Sequence, residues 1–463
     1  MERTKPEPLY YRLYRRLVYD IQQGVYKENE KLPSKRVCAD DLGISQNTVD
    51  AAYQMLATEG YVRALPRSGF YVNAWQPPIA ATPTQPISMA AQKLPEQQTC
   101  RFQLTPDAVD VDTFPYATWA KLSKEIMYAQ PELAHLGHRQ GDLCLRQAIC
   151  DYLHKYRGVT CAAEQVIVGA GMEYLIMLLH VLFDFDSVLA MENPGYPKVQ
   201  QIMRNCGRTV LPIPVTDAGI SVEALHKTNA ALVYITPAHQ FPTGVVMPVG
   251  RRMELLHWAN ARPERFIIED DYDSKLTYAG KPIPALQGLD SNGKVVYIGT
   301  FSRSIAPSVR IAYLVLPPAL LQRYHDRCAQ YSPTVSRFEQ HTLFAFMQRG
   351  HFERCLNRKR TAYRKRRDAL VSALRHNQLH ISGANAGLHC LLHVQSKLPE
   401  HTLVERALQA GVRLNGIGAY NWAEWENLPQ TVVLGFARHT PPELQEAADC
   451  LLKAWNLKKS EAV

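Results

Sequence analysis

Residues 299–310 read GTFSRSIAPSVR, and the sequence around this loop indicates the fold of most of the chain. The apolar run VVYIGTF leads into the loop and the run IAYLVLP leads out of it, so both flanks are predicted strands. From about residue 101 onward, helical patterns alternate with further short apolar runs, which are VIVGAG, SVLAMENP, LVYITP and RFIIEDDYD. Strands separated by helical segments predict an α/β domain with a largely parallel sheet.

Composition narrows the class of protein. A length of 463 residues predicts two or three domains, and 46% hydrophobic with 21% charged residues is typical of a soluble globular protein. The net charge of +9 is compatible with nucleic acid, but many enzymes share it. The ten cysteines are scattered without metal-ligand spacing, and no apolar run approaches the ~18 residues of a membrane span. We therefore expect a cytoplasmic protein without a membrane partner or a bound metal.

The composition also divides the chain into three zones. Residues 1–74 form a compact unit. Residues 75–100 are rich in Pro, Ala, Thr and Gln and poor in charge, which predicts a partly extended linker. Residues 101–463 carry the α/β pattern.

Two helices joined by a tight turn are predicted in the first zone. Ser34 is a suitable N-cap for a helix over 35–42, and Gly43 supplies its stop. Ser45 then caps a second helix, which runs to about Glu59. The runs YVRAL and GFYV, joined by PRSG, predict a hairpin wing after it. This succession is the helix-turn-helix pattern followed by a wing.

The stretch from LPSKR through LGIS and NTVDAAYQMLATEGYV to PRSGFYV closely resembles the winged helix-turn-helix domain of the GntR family of bacterial regulators. In such domains the second helix enters the major groove of double-stranded DNA. The resemblance implies that Gln46, Asn47 and Thr48 face base edges. It also implies that Arg36 meets phosphate or a base edge, and that Arg67 reaches phosphate or the minor groove from the wing tip. Acidic and basic residues are nearly equal in number here, so the hypothesis rests on the motif and not on charge.

Groups suited to holding a phosphorylated ring follow the predicted strands of the third zone. The carboxylates of RFIIEDDYD come at the end of a strand, where ligands bind in open α/β sheets. The Gly-rich turn of VIVGAGMEYLIML opens a helix, so the N–H groups of Gly171 and Met172 are suited to cradling phosphate. In the opening loop, Thr300 and Ser302 offer hydroxyls and Arg310 offers a guanidinium fork.

The order of these motifs resembles that of the fold type I aminotransferases, which depend on pyridoxal 5'-phosphate (PLP). The resemblance implies that Asp270 holds the pyridine nitrogen and Tyr272 the phenolic oxygen, and that the aromatic ring of Tyr196 approaches the coenzyme. In this family a lysine at the fifth position of the 299–310 loop bonds to PLP. Arg303 stands at that position here.

Joined to the GntR-type head, this body resembles the MocR subfamily of GntR regulators over nearly the whole chain. The fold class implied is a winged helix-turn-helix domain followed by an aminotransferase-like large domain and a small domain, the latter at roughly 345–463. The resemblance also implies a regulator of transcription that responds to a small-molecule effector. We further expect a head-to-tail homodimer, because in this fold the coenzyme site lies at the subunit interface.

Arg303 changes what the resemblance implies about chemistry. A guanidinium stays protonated and its lone pairs are delocalised, so it cannot form the bond that a lysine amine forms with PLP. It is equally unsuited to move the proton during amino-group transfer. Lys275 and Lys281 lie in a nearby loop, but neither is in register with the motif. We therefore expect no catalytic residue, no enzyme activity, and PLP held non-covalently if it binds.

Three hypotheses about the body remain open. In the first, a regulator senses PLP or another B6 phosphate without a covalent bond. In the second, the body binds no B6, and Arg303 either fills the site or recognises another anionic ligand. Pairing of Asp270 with Arg303 itself would keep this hypothesis open. In the third, the body is an active aminotransferase, which the missing lysine disfavours. The retained Asp270 favours the first hypothesis over the second, because a buried carboxylate without a partner is costly.

Three further features depart from the family or leave a choice. Phe241 in TPAHQFPTG stands where many aminotransferases have an asparagine. Val433 falls about where an arginine clamps the substrate carboxylate, and Arg438 is displaced from that position. The basic helix over 349–367 is interpreted as a solvated surface helix, with tracking of DNA phosphates as the alternative.

Overall fold

The computed structural model describes residues 7–74, 100–107, 110, 112–278, 283–423 and 430–457. The chain divides into two compact units, Met1–Gln98 and Thr99–Val463. The linker predicted over 75–100 lies outside the described residues, apart from Cys100.

The first unit is a three-helix domain with a two-stranded wing. Its elements are α1 (Leu9–Gln22), α2 (Lys35–Leu42), α3 (Gln46–Thr58), β1 (Val62–Leu65) and β2 (Gly69–Val72). The predicted caps form: the hydroxyl of Ser34 accepts the Val37 N–H, the hydroxyl of Ser45 accepts the Thr48 N–H, and Gly43 ends α2 in the left-handed conformation. The two strands pair antiparallel, as the predicted hairpin requires.

The second unit is an α/β body with two sheets. Its helices are α4 (Tyr116–Ala129), α5 (Leu143–Arg157), α6 (Met172–Leu182), α7 (Pro197–Asn205), α8 (Val222–His226), α9 (Val249–Asn260), α10 (Pro318–Arg327), α11 (Arg337–Gln348), α12 (His351–Ala373), α13 (Glu400–Gln409) and α14 (Pro441–Ala454). Its strands are β3 (Phe102–Gln103), β4 (Val166–Gly169), β5 (Leu189–Asn193), β6 (Val210–Thr216), β7 (Gly219–Ile220), β8 (Leu232–Ile235), β9 (Phe266–Asp271), β10 (Val295–Thr300), β11 (Ala312–Val315), β12 (Leu379–Ser382), β13 (His389–Val394), β14 (Val412–Arg413), β15 (Asn415–Gly416) and β16 (Thr431–Gly435).

The main sheet has eight strands in the order β4-β11-β10-β9-β8-β5-β6-β7. The five strands from β10 to β6 pair in parallel, so the predicted largely parallel sheet is confirmed. Strands β5, β8, β9 and β10 are buried at every position, which explains their continuous apolar runs. The GTFSRSIAPSVR loop joins β10 to its antiparallel neighbour β11 and therefore lies at the carboxyl edge of β10.

The second sheet belongs to a smaller layer built from the last third of the chain. Its order is β12-β13-β16-β15, and α12 packs against α14 beside it. Strand β3 pairs in parallel with β14, and Phe102 and Leu104 are buried in the core of this layer. The segment directly after the predicted linker is therefore part of the small domain.

The basic helix α12 is less solvated than its sequence indicates. Lys359 is fully buried, and its Nζ donates to the carbonyl oxygen of Ile305 at 2.6 Å. Arg360 donates from Nε to the carbonyl oxygen of Lys275 at 2.7 Å. The inward-facing cations thus tie α12 to the loops that border the carboxyl edge of the main sheet. No helix within the described ranges is long and apolar enough to cross a lipid bilayer.

Candidate ligand cavity and DNA-binding surface

The residues predicted to contact DNA lie on α2, at the start of α3 and in the turn between β1 and β2. Four of them are exposed, namely Arg36, Gln46, Asn47 and Arg67. Thr48 is half-buried, and its hydroxyl lies 2.8 Å from that of Ser45. Thr48 is therefore part of the helix cap as well as a candidate contact, whereas the other four side chains project from the unit.

A cavity of about 250 Å³ opens at the carboxyl edge of the main sheet. It is lined by eight of the nine side chains predicted to hold a coenzyme: Met172, Tyr196, Asp270, Tyr272, Thr300, Ser302, Arg303 and Arg310. The ninth residue, Gly171, is the N-cap of α6. Residues far apart in the sequence meet here because β9, β10 and the β4–α6 turn all end at one edge of the sheet.

Asp270 forms the floor of the cavity at the end of β9. Its Oδ2 accepts a hydrogen bond from the hydroxyl of Tyr234, whereas its Oδ1 is buried and has no partner among the described residues. Burial raises the pKa of this carboxyl to about 7, although the bond from Tyr234 opposes the shift. A buried acceptor that has no partner, on a residue that lines a cavity, suits a ligand that brings its own donor.

Arg310 and the start of α6 form one end of the cavity. The guanidinium of Arg310 pairs with the carboxylate of Glu173 in the first turn of that helix. Gly171 has a φ of 91°, and a Cβ added there would lie 2.2 Å from the Arg310 guanidinium. A side chain at this position would therefore displace the arginine. The N–H of Gly171, predicted to cradle phosphate, is engaged, because it donates to the carbonyl oxygen of Gly169 at 2.8 Å. The guanidinium and the following N–H groups of the helix start together suit a phosphate.

Arg303 lies elsewhere in the cavity and does not bind Asp270. Its Nη1 donates to the carbonyl oxygen of Pro106 at 2.7 Å, and its Nη2 lies 3.5 Å from the carboxylate of Asp107. The pairing of Arg303 with Asp270, which would have given the carboxylate a partner under the second hypothesis, is thus absent from the structure. Arg303 is instead held by the segment that precedes residue 108.

The hydroxyls predicted to face the coenzyme are partly engaged within the protein. The Tyr272 hydroxyl donates to the carbonyl oxygen of His239 at 3.0 Å. The Thr300 hydroxyl accepts a hydrogen bond from the N–H of Ser302 at 3.1 Å. The side chain of Ser302 lines the cavity. The resemblance assigned the phenolic oxygen of PLP to Tyr272, and this hydroxyl would have to share or exchange its bond to His239 to play that part.

A buried histidine pair lies behind Tyr272. His239, Asp273 and His389 are the one group in the described part of the chain with the ligand types and closeness of a metal site. The Nδ1 of His239 is 2.8 Å from Asp273, and its Nε2 donates to the carbonyl oxygen of Gly383 at 3.2 Å. Burial opposes a charge on this ring, but Asp273 raises the pKa of His239 above its ordinary value. Each ring has a partner within the protein, because His239 contacts Asp273 and the Nε2 of His389 lies 3.1 Å from the carbonyl oxygen of Pro242.

Two lysines near the cavity have different surroundings. Lys275 is buried outside the cavity wall, and its Nζ donates to the carbonyl oxygen of Thr300 at 3.2 Å. Burial lowers the pKa of this amine. Lys198 is exposed and lines the cavity. Lys281 lies outside the described residues.

The residues that depart from the aminotransferase pattern are either apolar or absent from the cavity lining. Phe241 lines the cavity, and its ring packs edge-on against that of Tyr196 with centroids 5.5 Å apart. Val433 is fully buried in the small sheet. Arg438 pairs with Gln103 and is not among the described cavity-lining residues. The arginines among the described cavity-lining residues are Arg303 and Arg310.

Some cavity residues were not indicated by the motifs. Lys198 and Glu173 lie within three residues of Tyr196 and Met172, which were predicted to contact the coenzyme. Their position in the sequence could therefore have indicated that they line the cavity. Asp107 comes from the segment just after the linker and carries no local signal. Only the folded chain brings it to Arg303.

The comparisons with known proteins agree with this architecture. Residues 9–72 match the family described as "Bacterial regulatory proteins, gntR family", and residues 108–451 match "Aminotransferase class I and II". The chain is 38% identical to the "Uncharacterized HTH-type transcriptional regulator YdeL" of Bacillus subtilis, over 99% of each chain. It is 32% identical to the "Probable rhizopine catabolism regulatory protein MocR" of Rhizobium meliloti, over 98% of this chain and 95% of the relative.

Further comparisons concern B6 and the fold. The chain is 30% identical to the "HTH-type pyridoxine biosynthesis transcriptional regulator PdxR" of Corynebacterium glutamicum, over 92% of this chain and 91% of that protein. The crystal structure of a multiple substrate aminotransferase from Thermococcus profundus superposes with a TM-score of 0.69 at 23% identity, over 78% of this chain and 92% of that one. The solved structure shows the fold of the body alone. The chain belongs to the MocR subfamily of GntR-type bacterial transcription regulators, in which a winged helix-turn-helix domain is joined to an aminotransferase-like body.

Proposed function

We propose that the body of this regulator binds a B6 phosphate, PLP or a close analogue, without a covalent bond and without catalysing amino-group transfer. The observation that carries the proposal is the unpartnered Oδ1 of Asp270, buried in the wall of the cavity. A carboxylate with a pKa raised to about 7 is stabilised by a cationic partner. The protonated ring nitrogen of a B6 compound is such a partner.

The rest of the cavity fits the same ligand. Arg310 and the start of α6 would hold the phosphate, and Asp270 would hold the ring nitrogen. Tyr196 and Phe241 would form the aromatic walls of the site. When bound, PLP supplies an aldehyde and an electron-withdrawing ring. The relative PdxR is named for pyridoxine biosynthesis, which agrees with a B6 ligand.

The surroundings of Arg303 support the absence of catalysis. Its guanidinium carries no available lone pair, and it is already bound to Pro106. Lys275, the buried alternative, donates to the carbonyl oxygen of Thr300 and lies outside the cavity wall. The one lysine among the described cavity-lining residues is the exposed Lys198. We propose that none of these amines replaces the missing lysine.

The second candidate function is a body that ignores B6 and holds another anion at Arg303 and Arg310. The two guanidinium groups in one cavity favour it. It leaves the buried Oδ1 of Asp270 without a partner, because Arg303 does not reach it. A B6 phosphate gives both Arg310 and Asp270 a partner and is therefore preferred.

The assembly and DNA contacts are part of the same proposal. We propose a head-to-tail homodimer that binds paired operator half-sites, with Arg36, Gln46, Asn47, Thr48 and Arg67 at the DNA. A dimer with paired half-sites predicts that DNA affinity falls when the spacing between half-sites changes by half a helical turn. Gel-shift titrations with spacer variants of an operator would measure this.

The test of the ligand is a titration of full-length protein with PLP, followed by absorbance before and after borohydride. We expect saturable binding that borohydride cannot fix in the native protein but does fix in Arg303→Lys. Arg310→Lys is the matched control, because it places an amine elsewhere in the same cavity and should give no adduct. A stoichiometric adduct on the native protein, located at Lys198 or Lys275 by mass spectrometry, would contradict the non-covalent proposal. Absence of binding would favour the second candidate.

A further inference from the structure

Two guanidinium groups line the cavity, and each holds an acidic side chain of the protein itself. Arg310 pairs with Glu173, and Arg303 lies 3.5 Å from Asp107. The Arg303 side chain is only 18% exposed, whereas that of Asp107 is 67% exposed. At 3.5 Å, and with a carboxylate that is mostly in solvent, this ion pair is weak. Asp107 is therefore a carboxylate that another carboxylate can replace at little cost.

The two guanidinium groups serve different parts of the cavity. Lys198 adds a second positive charge near Glu173, so the end formed by Arg310 and α6 already has the cations that a phosphate needs. Arg303 also lies beside Tyr272 and His389, in a set of neighbouring residues that includes neither Arg310 nor Lys198. A cation is thus left over once the phosphate and the ring nitrogen are bound.

The guanidinium chemistry of Arg303 indicates which ligand group it would bind. A guanidinium fork matches a carboxylate in charge and in geometry, but it gains much less from an aldehyde, an alcohol or an amine. Arginine has five N–H donors, so Arg303 can keep its 2.7 Å bond to the Pro106 carbonyl while it binds another acceptor. The place that Asp107 occupies at Nη2 is the available one.

We infer that Arg303 binds a carboxylate of the ligand in exchange for Asp107, and that the preferred ligand is a B6 phosphate bearing a carboxylate at the ring position that carries the aldehyde in PLP. This inference rests on the proposed function. Two sources supply the chemistry. One is a B6 phosphate whose aldehyde is oxidised to the acid, and the other is a B6 phosphate joined to an amino acid through a C–N single bond.

Calorimetric titration of the full-length protein with three ligands tests the inference. The ligands are pyridoxine 5'-phosphate, which has an alcohol at the position in question, 4-pyridoxic acid 5'-phosphate, and N-(5'-phosphopyridoxyl)glycine. A charge-assisted bond to a carboxylate predicts affinity about 10- to 100-fold tighter than for pyridoxine 5'-phosphate. Tighter binding of both carboxylate ligands supports the shared chemistry, and tighter binding of one of them identifies its source.

Variants test whether the preference for a carboxylate comes from Arg303 or from the overall charge of the cavity. In Arg303→Gln the preference for a carboxylate should disappear, while pyridoxine 5'-phosphate still binds and so shows that the cavity is intact. Asp107→Asn should tighten binding of a carboxylate ligand up to about fivefold, because it removes the internal competitor. The matched control is Asp184→Asn, which removes an exposed carboxylate paired with Arg323 and Arg327 and should change nothing.

The outcomes are distinguishable. Equal affinity for all three ligands would overturn the inference and leave the proposed B6 site standing. A carboxylate preference that survives in Arg303→Gln would also overturn it, because another group would then be the receptor. Failure of all three ligands to bind would remove the proposed function together with the inference.

Discussion

Replacing Asp270 with Asn should stabilise the body at high pH and at the same time weaken its binding of a B6 phosphate. The side chain is buried, and Oδ1 has no partner within the described ranges. Asn keeps the shape of the side chain and an oxygen that can accept the bond from Tyr234, but it removes the charge. The substitution therefore isolates the cost of an ionised carboxylate at this position.

The magnitude follows from the pKa of Asp270, which burial raises from 3.8 to about 7. The folded protein holds this proton more tightly than the unfolded chain, so the contribution of Asp270 to the free energy of unfolding is fully present below pH 3.8. It is lost as the pH rises towards 7 and above. With 1.36 kcal/mol per pH unit, the loss between pH 5 and pH 8 is roughly 2 to 3 kcal/mol.

Urea unfolding of native protein and Asp270→Asn at pH 5 and pH 8, followed by circular dichroism, measures this difference. The variant should gain roughly 2 to 3 kcal/mol relative to native protein between the two pH values. Asp326→Asn is the control, because Asp326 is exposed and bonds only to Gln322 in the described structure. Unfolding curves of native protein and Asp270→Asn that move in parallel from pH 5 to pH 8 would refute the reasoning.

The same variant should bind pyridoxine 5'-phosphate about 10- to 100-fold more weakly, since it lacks the charged acceptor for the ring nitrogen.

Four other substitutions have defined outcomes. Gly171→Ala should weaken B6 phosphate binding at least tenfold in calorimetry, because its Cβ would lie 2.2 Å from the Arg310 guanidinium; unchanged affinity would show that Arg310 does not hold the phosphate. Arg36→Ala should reduce operator affinity and lower the slope of log affinity against log salt concentration by about 1 if this residue meets phosphate, as fluorescence anisotropy would show. Asn47→Ala should reduce discrimination between operator and unrelated DNA while leaving that slope unchanged, and an equal loss on both DNAs would exclude base contact. Ser45→Ala should cost about 1 kcal/mol of stability in the first unit, measured by thermal unfolding, because it removes the cap of α3; no change would mean that water replaces the hydroxyl.

The DNA-binding unit could be predicted closely because its signals are local. The caps at Ser34 and Ser45 act on N–H groups three residues away, and Gly43 stops α2 through its own backbone. The helix bounds therefore follow from short stretches of sequence. The wing follows in the same way, since its two strands are joined by a turn of a few residues.

Several residues that line the cavity could be predicted from the sequence, but the partners of its charged side chains could not. Asp270, Thr300 and Met172 each end or follow a strand, and parallel strands bring such residues to one edge. The sequence could not assign a partner to Arg303, and pairing with Asp270 was the alternative that it left open. The structure places Arg303 against Pro106 and Asp107 instead.

The sequence by itself determined the two domain types, the helix caps of the first unit, and eight of the residues that line the cavity, because repeating patterns and short motifs encode them. The tertiary structure alone decided which charges are paired. Arg303 meets Asp107 across 196 residues of chain, and Lys275 and Lys359 are buried against carbonyl groups although lysine is usually exposed. Such pairings depend on where distant segments are packed, and no local pattern in the sequence carries that information.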